Sequence, residues 1–283
     1  MEFKNLTGVD ITTIHAAFVD AFSQYAVPMT LSVADLSSMM QLRSYAAEHS
    51  LGCFVDGQLV GFVLVGVRHM QGVWRAYDVA TGVIGAYQHQ KIGTQLLTQL
   101  TPRLTAAGMA TFQLEVLVQN EAAQALYRKQ GFQVTRRLCC YQKTWGHSGE
   151  LVAHLSPSAP PAVLADVDEV QFGSFVPSWQ NALATYRIDP DQYHLETMTD
   201  GAELLAYGII QRQTYTILQL GIAPHLRTPA LRDTLLARLA QAVAAPRLRI
   251  LNLEADSWLD QQFQALGWEN MVNQYEMSIS CAR

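Results

Sequence analysis

Between Gln88 and Thr94 the sequence reads QHQKIGT, with one lysine, one glycine and no proline. A strand signal ends near Val83 and helical spacing begins near Gly93, so the amides between Gln88 and Thr94 fall at a helix N-terminus. Such a terminus leaves backbone N–H groups without intrahelical acceptors and adds the positive end of the helix dipole, which together attract phosphate or carboxylate. The pattern Gln-x-x-Lys-x-Gly has one glycine and junctions of this kind are common, so the loop alone reads as an ordinary strand–helix junction, and its context must decide whether it is more. Lys91 still offers its own amide. If its φ must be positive, the Cβ costs about 1 kcal/mol, while its ammonium could return a charge-assisted contact to a phosphate. His69 and His89 are available imidazoles, although lone surface histidines usually carry no chemistry. Cys53, Cys139, Cys140 and Cys281 show no C-x-x-C spacing, and neither a zinc site nor a disulfide framework is expected.

The elements that must position this loop follow from periodicity. Phe54-Val55 and Leu59 to Val67 are β-prone and flank Asp56-Gly57, a tight-hairpin signal. Another strand covers about Val73 to Ile84. After the loop, Ile92, Leu96, Leu97, Leu100 and Leu104 recur at helical spacing, and Pro102 should kink or shorten that helix. ATFQLEVLVQ then alternates as a strand. In NEAAQALYRKQGF, Asn120 is a good N-cap, Ala122 to Gln130 form helix readily, and Gly131 suits the C′ position. FQVTRRLCCYQKTW closes with a strand. Front helices in DITTIHAAFVDAFSQY and VADLSSMMQLRSYAAE complete an α+β order with a mostly antiparallel sheet.

A chain of 283 residues suits two domains. The run GHSGELVAHLSPSAPPAV divides it into residues 1–148, a linker at 149–163, and residues 164–283. The second half repeats the first: at an offset of 139, Ile222 meets Val83, Arg227 meets Gln88, and Leu235-Leu236 meet Leu96-Leu97. Glu254 meets Glu115 and, after a short deletion, Gly267-Trp268 meet Gly131-Phe132. To Ser148 there are 11 Lys and Arg against 9 Asp and Glu; beyond it there are 8 Arg, no Lys and 15 acids. That balance argues against a nucleic-acid groove and suits a cationic partner. No apolar run spans a bilayer, and MEFKNLTGVD lacks a signal-peptide pattern, so a cytoplasmic, membrane-free chain is expected.

LEVLVQNEAAQALYRKQGF (Leu114 to Phe132) resembles the second signature of the Gcn5-related N-acetyltransferases: a strand, an Asn, a helix carrying Leu-Tyr, then Gly-Phe. TGVIGAYQHQKIGTQLL, upstream, is similar to the acetyl-CoA loop of that superfamily, and AFSQYAVPM resembles the first-helix loop of its tandem members. Two motifs in the right order and spacing are far more specific than either alone. The resemblance implies two tandem domains of this α+β fold, the second degenerate. It also implies acetyl-CoA as co-substrate, no metal, and an amine acceptor.

Carried over residue by residue, Val83 and Ile84 would be the strand end beside the pantetheine arm, and Gln88 would open the loop. The amides of Lys91, Ile92, Gly93 and Thr94 would hold the pyrophosphate. Asn120 would contact the cofactor near its thioester, and Tyr127 would protonate the departing thiolate. Asp78 is the expected base, with Glu115 or a water relay as alternatives. Acceptor contacts would come from Phe22, Tyr25, Met29 and the strand from Trp74 to Asp78. The second copy has Arg232 for Gly93, Pro229 within the would-be cradle and Phe263 for Tyr127, so one CoA per chain is expected. Monomer and homodimer both remain open, as does a non-catalytic acyl-CoA sensor. A dinucleotide-binding fold fits poorly, because no GxGxxG follows the first strand.

Overall fold

The computed structural model describes residues 1–23, 31–144 and 164–281. Tyr25, Met29 and the expected linker at 149–163 lie outside them. The first repeat runs β1 (Glu2–Asn5), α1 (Ile11–Ala21), α2 (Val33–Leu42), β2 (Leu51–Val55), β3 (Gln58–Met70), β4 (Val73–Val83), α3 (Ile92–Ala106), β5 (Met109–Leu117), α4 (Glu121–Lys129) and β6 (Gln133–Thr144). The second runs α5 (Glu169–Gly173), α6 (Leu183–Ile188), β7 (Tyr193–Asp200), β8 (Glu203–Gln211), β9 (Thr216–Ile222), α7 (Pro229–Ala242), β10 (Arg247–Glu254), α8 (Trp258–Ala265) and β11 (Glu269–Ser280).

Two compact units form, one of Met1–Thr135 with Tyr275–Arg283 and one of Arg136–Gln274. Their limits differ from the sequence boundary because the closing strands change places: most of β6 counts with the second unit and the end of β11 with the first. In the first unit β1, β2, β3, β4 and β5 are neighbours in that order, antiparallel except for the β4–β5 pair. In the second, β6, β10, β9, β8 and β7 follow one another, with β9–β10 the parallel pair.

Local chemistry explains the elements. Asp56 (φ 50°) with Gly57 (φ 82°), and Gln71 (φ 52°) with Gly72 (φ 80°), close two-residue hairpins whose positive φ values match strand twist. Asp10 caps α1, a Ser32–Asp35 capping box starts α2, and Asn120 caps α4. Ile92, Leu96, Leu97, Leu100 and Leu104 form the buried stripe of α3. Pro102 does not end that helix, which continues to Ala106 and so buries Leu104 in full.

Two irregularities shape the sheet of the first unit. The β3–β4 register passes from Leu64↔Ala80 to Val65↔Asp78, leaving Val79 as an extra residue. This bulge puts Asp78 and Thr81, three residues apart, on one face, where a regular strand would oppose them. Beyond it β4 and β5 part: their parallel pairing covers Trp74 to Tyr77, while both strands run further.

The chain after α2 presses on β3 where Gly66 leaves room. Ala46 N–H bonds Val65 O at 2.8 Å and Val67 N–H bonds Ser44 O at 2.9 Å. A Cβ at Gly66 would stand 2.2 Å from the Arg43 carbonyl oxygen, a backbone atom. Gly66→Ala is expected to lower unfolding free energy by about 2 to 3 kcal/mol through overpacking. Gly108→Ala, at φ 81° in open space, should cost about 1 kcal/mol. Denaturant titration of the two variants checks the difference, and equal losses would contradict it.

Candidate active site

Asp78 sits at the bulge of β4 with only 7% of its surface exposed. Its Oδ2 accepts two hydrogen bonds, from Thr81 Oγ1 at 2.6 Å and from Tyr127 Oη at 3.2 Å. Its Oδ1 is buried and makes no hydrogen bond among the described residues. Burial pushes the carboxyl up to about 6, against the pull of the Thr81 and Tyr127 hydrogen bonds and the Arg43 guanidinium. Arg43 is anchored nearby, donating from Nη1 to Val79 O at 3.0 Å. Tyr127 reaches Asp78 from α4, whose start Asn120 fixes by accepting from Ala123 N–H at 3.1 Å, and its ring packs edge-on against Phe132.

β4 then runs into the loop before α3. Lys91 occupies the N-cap position with φ 62° and ψ 17°, and no side chain caps the helix. The first amides of α3 therefore have neither intrahelical nor side-chain acceptors, and Lys91 is exposed beside them. Gly93 keeps the helix start close to α4, since a Cβ there would meet Leu126 Cδ2 at 3.3 Å. The set fits an anionic group: uncommitted amides, a helix dipole and a cation.

The residues singled out by sequence are not all equally placed. Asp78 and Tyr127, 49 positions apart, are hydrogen-bonded. Gln88 Nε2 donates to Val83 O at 3.3 Å, so the loop folds back on the strand end. The Ile84 N–H is committed to Val60 O at 3.0 Å and its carbonyl accepts from Tyr87, which leaves only a second lone pair for a ligand. Glu115 accepts from Tyr77 Oη at 3.2 Å. His69 packs edge-on against half-exposed Trp74, and His89 is exposed in the loop. Phe22 packs against Phe18 at the end of α1 with its ring tilted by 37°. Sequence reasoning missed Thr81 and Arg43. The bulge that brings Thr81 to Asp78 leaves no mark in the hydrophobic pattern, and Arg43 arrives through a loop. Among the described residues no group of three or more His, Cys, Asp or Glu could hold a metal ion.

The second unit repeats the geometry without the chemistry. Its β8–β9 register skips Leu218, the counterpart of Val79. Asp78, Thr81 and Tyr127 become Ile217, Leu220 and Phe263, all buried. Thr228 caps α7 by accepting from Leu231 N–H at 3.3 Å, and Pro229 removes an amide. Arg232, 3% exposed, bonds Asp233 and Gln262. Where β9 and β10 part, Asn181 from the α5–α6 connection bridges them. Its Nδ2 donates to Leu251 O and its carbonyl accepts from Gln219 Nε2 at 2.6 Å. The strand opening is thus filled by the chain itself.

In the first unit a parallel strand pair parts beside a helix N-terminus that no side chain caps, with the buried, hydrogen-bonded Asp78 and Tyr127 at the fork. Residues 15–132 match the acetyltransferase (GNAT) family. A tandem GNAT protein from the clavulanic acid biosynthesis pathway has a similar fold, at 13% identity over 100% of this chain and 99% of that one, with a TM-score of 0.68. A GCN5-related N-acetyltransferase from Sphaerobacter thermophilus is also similar, at 13% identity over 100% and 96%, with a TM-score of 0.65. No curated protein sequence matches significantly.

The first repeat thus carries the acetyltransferase (GNAT) domain, and the chain as a whole shares the fold of a tandem GNAT protein. This fold supports acyl transfer from acyl-CoA. No helix among the described residues is long and apolar enough to cross a membrane.

Lys91 pays a conformational cost that glycine would not. Lys91→Gly is expected to raise unfolding free energy by about 1 kcal/mol, measured by thermal denaturation without ligand. Unchanged stability would mean that the lysine side chain returns as much as its φ costs.

Proposed function

We propose that the first unit transfers an acetyl group from acetyl-CoA directly to a primary amine, on a small molecule or on a peptide or protein. The observation that carries this reading is Asp78 Oδ1, a buried acceptor with no hydrogen-bond partner among the described residues, on a carboxyl whose other oxygen is held by a tyrosine hydroxyl. A buried lone acceptor matches an incoming N–H.

In this reading the amides of Lys91, Ile92, Gly93 and Thr94 receive the pyrophosphate, and the Lys91 ammonium adds a charge-assisted contact. Val83, Ile84 and Gln88 line the path of the pantetheine arm, and Asn120 stands at the start of α4 near its reactive end. Asp78, as carboxylate, takes the proton that the amine loses as it attacks the thioester carbonyl. Tyr127 supplies the proton for the thiolate that departs. Burial of both groups excludes bulk water, which strengthens their hydrogen bond. The second unit holds no CoA, because its helix start is capped and its strand opening is filled.

Two measurements test the proposal together: calorimetric titration with CoA, and thiol release from acetyl-CoA against amines, polyamines, aminoglycosides and N-terminal peptides. One CoA per chain and amine-dependent thiol release are expected. Tyr127→Phe should lower turnover about 100-fold with CoA affinity nearly unchanged. Two CoA per chain would refute the silent second unit. Tight CoA binding without thiol release across the panel would replace the enzyme reading with a non-catalytic acyl-CoA sensor.

The acid side of the rate profile follows from Asp78. A proton on its carboxyl abolishes its capacity to accept another, so kcat/KM should rise with pH through about 6. A profile flat from pH 5 to 7.5 would remove Asp78 from the base role.

A further inference from the structure

We propose that Asp78, Thr81 and Tyr127 form one proton circuit, in which the amine's proton arriving at Asp78 is what releases the Tyr127 proton to the departing thiolate. The inference rests on the acetyl-transfer reading and adds an order to it.

Two features of geometry carry the argument. Tyr127 Oη donates to Asp78 Oδ2, as does Thr81 Oγ1, so with Asp78 ionised the phenolic proton is engaged with the carboxylate. A donor so engaged is a poor acid toward any other atom. When Asp78 Oδ1 takes a proton from the amine nitrogen, the carboxyl becomes neutral and its hold on the phenol weakens. The phenolic proton then moves to sulfur, and the carboxyl turns about its Cβ–Cγ bond so that the newly protonated oxygen donates to the Tyr127 phenolate. The C–N bond forms as the C–S bond breaks, one proton leaves nitrogen and one reaches sulfur. Asp78 passes its proton to Tyr127, and carboxylate and phenol are both restored without solvent.

The repeat supplies an internal control. The second unit builds the same bulge at Leu218 and buries Ile217, Leu220 and Phe263 where the first has Asp78, Thr81 and Tyr127. The fold therefore tolerates apolar residues at all three positions, and a buried carboxyl among hydroxyls is costlier to the fold than they are. All three polar groups are present in one copy and all three are absent from the other, as parts of one device would be. Thr81 gives up no proton in this cycle and is a positioning residue that holds Oδ2.

The groups facing Asp78 are Thr81 and Tyr77 on β4, Tyr127 from α4 and Arg43 from the chain after α2. Of these, Thr81 and Tyr127 donate hydrogen bonds that favour the ionised carboxyl, so removing either must raise its midpoint. The test uses the full chain with 13Cγ-labelled aspartate, Asp78 being assigned by its absence from Asp78→Asn, and follows its signal with pH. In Tyr127→Phe and in Thr81→Val the midpoint should rise by about one pH unit, and Thr81→Ser should restore the native value. With any amine that supports thiol release, the acid limb of kcat/KM in Thr81→Val should move upward by the same interval. An unmoved midpoint in Tyr127→Phe, or in Thr81→Val should the first variant not fold, overturns the circuit even if thiol is released. Shifted midpoints with no thiol release from any amine overturn the acetyl-transfer reading instead.

Discussion

A single extra residue in β4 organises the first unit. Val79 has no partner in the β3 register, and that offset turns Asp78 and Thr81 to the same face just where β4 and β5 cease to pair. Without it, Thr81 would point away from Asp78, and the carboxyl would be buried with one hydrogen-bond donor fewer. The parting of the strands opens the sheet next to the helix start that carries Lys91, so the acidic head and the cationic cradle lie along one strand and its exit loop. Bulges concentrate near functional sites because they re-aim side chains at little cost to the ladder.

The repeated sequence separates what the fold needs from what the chemistry needs. Leu218 repeats the bulge, and Gly267 repeats the positive φ of Gly131 at the end of the short helix. Those features survive because the backbone requires them. The polar side chains do not survive: Ile217, Leu220 and Phe263 join the apolar core, and Asn181 closes the strand opening with backbone-directed hydrogen bonds. Arg232, at the position of Gly93, would bury an unpaired charge if Asp233 and Gln262 did not meet it.

The sequence is informative wherever the physics is local. The helical stripe of α3, the Asp56-Gly57 turn, the Asn120 cap and the repeat are all carried by neighbouring residues or fixed offsets. Lys91 is a partial case: the amide was evident, whereas its φ of 62° is visible only in the folded loop. Nothing in the pattern announces the Val79 bulge, so the contact of Thr81 with Asp78 and the approach of Tyr127 across 49 positions were illegible. Arg43 escaped for the same reason, because a loop residue that reaches a strand carbonyl has no periodicity. The unit limits were likewise hidden, since β6 and β11 have ordinary strand composition whichever sheet they join.

That exchange bears on why a decayed copy persists. The end of β11, from Tyr275, belongs to the first unit, where Cys281 N–H bonds Ala110 O at 2.9 Å and Ile279 lies so close to Gly131 that a Cβ there would stand 3.2 Å from its Cδ1. Gly131 ends the helix that carries Tyr127, so the last strand of the chain supports the element that aims the phenol. Cutting the chain after the first repeat would remove that strand and bare the edge of β5. Substitutions inside the second repeat meet no such penalty so long as its strands still form. The first unit therefore needs the backbone of the second repeat's last strand but none of its polar residues, and Ile217, Leu220 and Phe263 fill the corresponding positions as apolar core.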